Sequence, residues 1–80
     1  MPHRAATFAG WYGVIAVLLA YALLNFDMVG VGSMGYLLLN LTGALGILWE
    51  AFDRRDYPVS VLNLIWALIA LYGIARFFAA

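Results

Sequence analysis

The chain has 80 residues and no net charge; 68% are hydrophobic and only 10% charged, and its mean hydropathy is +1.00. A chain this short has a large surface for its volume, and so few charges cannot coat it in water, which excludes an ordinary soluble domain. It has no lysine, so no basic patch for nucleic acid, and no cysteine, so no disulfide, thiolate chemistry or cysteine metal site.

Residues 1–7, MPHRAAT, read as a short polar lead. An apolar run follows from about residue 8 to 26. At about 1.5 Å rise per residue, roughly 20 apolar residues cross the hydrocarbon core of a bilayer. His3 and Arg4 before an apolar run resemble the start of a signal peptide. No small-x-small cleavage site follows, however, so the run is read as a retained membrane helix. Ala9, Gly13, Ala16 and Ala20 recur at spacings of three and four and share one face, where small residues let a neighbouring helix come close.

The first connection, Asp27–Gly32, is short and rich in glycine, which makes the first two spans antiparallel neighbours. The second span covers about 33–52. At about 100° per residue, Ser33, Tyr36, Asn40, Gly43, Ala44, Ile47 and Glu50 fall on one side, with Trp49 nearly opposite Asn40. Gly46 adds a second close glycine. An amide with nothing to bond in hydrocarbon costs several kcal/mol, so this polar, small face is expected to point inward. The run is apolar apart from an amide and small residues, as suits a helix packed on both sides.

The second connection, DRRDY, holds half of the charges in the chain and leads into Pro58, which suits the first turn of a helix. The third span covers about 58–78. Asn63, Trp66, Ala67, Ala70, Gly73, Ile74 and Phe77 share one face, and Arg76 sits in the last turn, where a cation meets the negative end of the helix dipole. The pattern predicts an all-α membrane protein, a single domain of three transmembrane helices in an up-down-up bundle.

Little here is suited to catalysis. Ser33 and Ser60 have no histidine or lysine nearby in sequence to activate them. The VGVG stretch follows no strand and lacks the lysine of a phosphate loop. His3 is terminal and alone. The chain is therefore read as no enzyme, with no cofactor and no metal. The polar candidates inside the membrane are Asn40, Glu50, Asn63 and Trp66. Glu50 and Arg54 stand in the acid-first i,i+4 order that supports an interfacial ion pair. Glu50, Ser60 and Asn63 lie at matching depths and are expected to line one polar patch; polar groups inside membrane proteins often mark substrate or ion pathways. Asn63 is expected to find its partner among Trp66, Ser60 and Glu50. Gly13, Ala16, Ala20, Gly43, Gly46, Ala70 and Gly73 are the candidate packing positions, and some of these small faces are expected to stay open for other helices. Most aromatics, Tyr12 among them, fit interfacial belts.

Three runs carry a resemblance: Ala20-Tyr21, LNxxGA at Leu39–Ala44, and NxxWxxIAxxG at Asn63–Gly73. Over most of residues 10–75 the chain resembles a family of small, uncharacterised bacterial membrane proteins with three spans. It is also distantly similar in shape to the three-helix sugar-transporter halves of the SemiSWEET and PQ-loop group. There Asp56-Tyr57-Pro58 followed by Asn63 is similar to the proline-then-asparagine opening of the third helix. That likeness implies a sugar-contacting role for Asn63 with Trp49 as its partner, although Leu23-Leu24 stand where the group has its Pro-Gln pair.

Two functions are consistent with these features. One is an accessory or scaffold subunit that lies in the lipid bilayer and forms a homo-oligomer or docks on a membrane complex. The other is a SemiSWEET-like half-transporter working as a homodimer on a small polar solute. Arg4, Arg54 and Arg55 share one side and only Arg76 lies on the other, so the positive-inside rule predicts a bacterial inner-membrane protein with a cytoplasmic N-terminus and an outer C-terminus.

Overall fold

The structure, a computed structural model, describes residues 2–79, with side chains from Arg4 onward. Among the described residues there are three helices: α1 (Pro2–Asn25), α2 (Met34–Asp53) and α3 (Tyr57–Ala79). Each is long and apolar enough to cross a membrane. The molecule measures 41 Å along its longest axis, which exceeds the roughly 30 Å of a hydrocarbon core and leaves both ends at the headgroups.

The residues at each helix end account for the boundaries. Ser33 caps α2, its hydroxyl accepting from the Tyr36 N–H at 3.3 Å. Asp56 does the same for α3 by accepting from the Val59 N–H at 3.4 Å. Helix α1 ends with the Asp27 N–H donating to Leu24 O and the Met28 N–H to Leu23 O. Helix α2 repeats the pattern, with Arg55 N–H to Phe52 O and Asp56 N–H to Ala51 O. These are Schellman ends, and the left-handed residue each requires is Asp27 (φ 59°) in one and Arg55 (φ 58°) in the other. Asp56 therefore closes α2 and opens α3 at once, which keeps that corner tight. The expected polar lead is different: α1 already runs from Pro2, and Ala6 is fully buried. Nothing in the lead breaks a helix, and a helix need not stop where the hydrocarbon does.

The arrangement is up-down-up with α2 in the middle. Helices α1 and α3 flank it, and among the described residues their Cα atoms nowhere come within 8 Å of each other. The interior is made of small side chains. Its buried apolar residues are Ala6, Ala16, Ala20, Leu37, Ala44, Ala51, Ala67 and Ala70, while residues such as Ile15, Leu18, Leu68 and Ile69 point outward. In water this inside-out distribution would expose most of the apolar side-chain area. In lipid it is the stable one, because tails are as apolar as leucine and helices associate through close backbone packing. The seam between α1 and α2 has that form. A Cβ on Gly13 would collide with the Gly43 carbonyl, and one on Gly46 with the Ala9 carbonyl. Gly43 faces Val17 and Ala16 in return.

Candidate functional site

Among the described residues, two side-chain hydrogen bonds tie the outer helices to α2. On one side Trp66 of α3 donates its indole N–H to Asn40 Oδ1 at 3.0 Å. The Asn40 amide nitrogen donates to Tyr36 O at 2.9 Å, so both ends of this amide are bonded. On the other side the Tyr12 hydroxyl of α1 meets the Thr42 hydroxyl at 2.6 Å. Thr42 donates its own proton to Leu38 O at 2.8 Å, which makes Tyr12 the donor. Asn40 and Thr42 stand two residues apart, about 200° around the helix, and so address opposite neighbours. The Tyr12–Thr42 bond is absent from the sequence reading, which placed Tyr12 in the interfacial belt. The one available signal was Thr42, a hydroxyl in mid-span with a backbone carbonyl four residues back.

Asn63 is 3% exposed and faces the seam. Its amide nitrogen donates to Val59 O at 3.0 Å within its own helix, and its Oδ1 is buried with no hydrogen-bond partner. None of the three expected partners reaches it. Trp66 is committed to Asn40, and Ser60 donates to Asp56 O at 2.8 Å. Glu50 lies against α1 instead, where its carboxyl occupies the notch left by Gly10: a Cβ there would stand 2.6 Å from Glu50 Oε1. It also pairs with Arg54 at 3.6 Å. The expected patch of Glu50, Ser60 and Asn63 therefore does not assemble. The face read as one side of α2 is divided between two neighbours, with Gly43, Ile47 and Glu50 towards α1 and Asn40 towards α3.

The packing positions are used inside the chain. Gly13, Ala16, Gly43 and Gly46 meet in the α1–α2 seam, Ala20 and Ala70 are buried, and Gly73 receives the side chain of Leu37. This departs from the expectation that small faces stay open, since α2 has a close partner on each flank.

Two grooves run between α2 and α3. One, of about 660 Å³, lies at the charged corner and is lined by Leu45, Trp49, Phe52, Tyr57 and Val61 among others. The Phe52 and Tyr57 rings there meet edge to face, with centroids 6.4 Å apart. Trp49 lies in this groove and Asn63 does not line it, so the implied Trp49–Asn63 pair does not form around it. The other groove, of about 740 Å³, lies at the opposite end and contains Tyr36, Asn40, Trp66, Tyr72 and Arg76. Among the described residues no group of three or more His, Asp or Glu side chains is placed to hold a metal ion. His3 falls outside the described side chains.

One family model matches residues 6–80, nearly the whole chain. The chain belongs to that family. The family is uncharacterised and lends the site no activity. The matched residues include both Leu39–Ala44 and Asn63–Gly73, so the Asn40–Trp66 bond lies within the family region. No curated relative and no solved structure matches the chain, and the likeness to sugar-transporter halves draws no support.

Proposed function

We propose that the protein is a non-enzymatic accessory or scaffold subunit of the bacterial inner membrane, acting by self-association or by docking on a membrane complex. The observation that carries this reading is the separation of α1 and α3. Each packs on α2 and neither meets the other, so a long side of α2 is left without the third wall of a closed bundle. In lipid such a side, with large apolar residues such as Leu38 and Leu45 exposed along it, is a place for a helix from another chain, held by side-chain dispersion. Two further features agree. Ser33 and Ser60, the only serines, both bond to backbone, leaving neither poised as a nucleophile. The polar pair of the α2–α3 seam is closed directly, Asn40 to Trp66.

Native mass spectrometry of the full chain released from lipid nanodiscs tests the reading. The expected species is a dimer or higher oligomer, or a stoichiometric complex with a co-purified membrane protein. A population of single chains, with nothing co-purified, overturns it.

A second reading has one observation in its favour. Asn40 and Trp66 border the larger groove, which a second copy would roof to make a half-transporter site. It requires a small polar solute, such as a sugar or amino acid, to raise the melting temperature of the wild type and not of Asn40→Leu.

A further inference from the structure

The larger groove between α2 and α3 has a polar mouth and an apolar length. Arg76 stands at the mouth, in the last turn of α3. It is the only cationic residue at that end of the molecule, and it makes no ion pair among the described residues. Its guanidinium lies 5.9 Å from the centroid of the Tyr72 ring, a contact that orients it and leaves its N–H donors free of a carboxylate. Tyr36 and Tyr72 also line this groove. Gly32 also borders it, and a Cβ there would meet nothing within 4 Å, so the first connection leaves this end open. Beyond the mouth the walls are Leu37 and Ile69, and Trp66, 36% exposed, lies at the inner end beside Asn40.

The dimensions match one kind of occupant. From Arg76 to Trp66 is ten residues of helix, about 15 Å by helical rise. That is about half of a hydrocarbon core of roughly 30 Å. The groove thus spans one leaflet, with a fixed cation at headgroup level and an apolar channel as deep as one acyl chain. We infer that it is a binding site for an anionic phospholipid of the leaflet opposite the Arg54–Arg55 corner. The headgroup phosphate is held by Arg76, and one acyl chain lies along Leu37 and Ile69 to end near Trp66. Charge complementarity selects an anionic headgroup over a zwitterionic one, since a single arginine at the surface gives about 1 kcal/mol, or about fivefold in affinity.

Trp66 is itself the probe. In a full-length Trp11→Phe/Trp49→Phe protein it is the sole tryptophan; both replaced residues are exposed to lipid. Its fluorescence is measured in vesicles of phosphatidylcholine containing either phosphatidylglycerol or further phosphatidylcholine, with bromine on the acyl chains of the added lipid. Brominated phosphatidylglycerol is expected to displace phosphatidylcholine at Trp66 with about fivefold preference, and bromine near the chain end should quench more than bromine near the head. Arg76→Gln should bring the preference to about one without changing Trp66 emission in pure phosphatidylcholine, and Arg76→Lys should keep most of it. Equal quenching by the two lipids in the parent protein overturns the inference, as does a preference that survives Arg76→Gln. Weak quenching by both that rises as the protein is diluted in lipid also overturns it, because a second copy of the chain then fills the groove.

Discussion

Trp66 crosses from α3 to Asn40 at 3.0 Å, and Asn63, one turn earlier on the same helix, is left with a buried oxygen that nothing bonds. The two residues share a helix face, yet the indole and not the amide makes the interhelical bond. The reason is reach. Trp66 is long enough to cross the seam from a partly exposed position, whereas the short Asn63 side chain turns back to Val59 O.

The Asn40–Trp66 bond is expected to contribute modestly. Interhelical hydrogen bonds in membranes average about 0.6 kcal/mol and reach about 1.7 kcal/mol. Trp66→Phe, which keeps the ring and removes the donor, should cost about 1 kcal/mol in reversible unfolding from mixed micelles. Asn40→Leu should cost a similar amount, and the double variant less than the sum, because Asn40 is the indole's only partner. Strictly additive losses would show that the bond does not couple the helices.

Asn63→Leu should be neutral or stabilising. A buried acceptor without a partner costs about 1–3 kcal/mol relative to its hydrated state, and leucine keeps the same branched side-chain skeleton, somewhat bulkier, without that acceptor. The same unfolding measurement reads this, and a loss of more than about 1 kcal/mol would mean that the amide oxygen is bonded after all, for instance through water.

The glycines should separate into two classes. Gly13→Ala and Gly46→Ala place a methyl group against the backbone carbonyls of Gly43 and Ala9, and neither backbone can yield without parting α1 from α2. Each should cost about 3 kcal/mol. Gly73→Ala meets Leu37 Cδ2 at 2.6 Å, the end of a flexible side chain, and should cost far less. Gly35→Ala meets nothing within 4 Å and lies inside α2, so it should stabilise by up to about 1 kcal/mol through helix propensity. Because Gly13 and Gly73 lie inside the monomer, Gly13→Leu acts on the fold before it acts on any assembly.

Arg55 holds a left-handed backbone at the α2–α3 corner, φ 58°. A side chain there costs about 1–2 kcal/mol that glycine does not. Arg55→Gly should therefore raise stability by about 1 kcal/mol. No gain would indicate that the guanidinium makes a compensating contact with headgroups.

With Arg4, Arg54 and Arg55 sharing one end of the up-down-up fold, the positive-inside rule predicts a cytoplasmic N-terminus and an outer C-terminus. A C-terminal alkaline phosphatase fusion, active only outside the cytoplasm, should be active. Activity from a C-terminal fluorescent protein that matures only in the cytoplasm would reverse the assignment.

The sequence by itself determined the solvent, the number of spans and their order, because each depends on local properties: a 20-residue apolar run, a short glycine-rich connection, a cluster of charges too costly to bury. It also suited α2 to packing on both sides, as an apolar run broken only by an amide and small residues. Only the tertiary structure decided how that face is shared. Gly43 and Glu50 belong to α1 and Asn40 to α3, because two helices that each need a small-residue seam on α2 cannot occupy the same strip. Periodicity gives the angle of a side chain about its own axis and contains nothing about where a second axis lies. For that reason Glu50 and Asn63, matched in depth by sequence, lie on different seams, and Tyr12 and Thr42, thirty residues apart, form a bond whose partner the mid-span hydroxyl of Thr42 could not name.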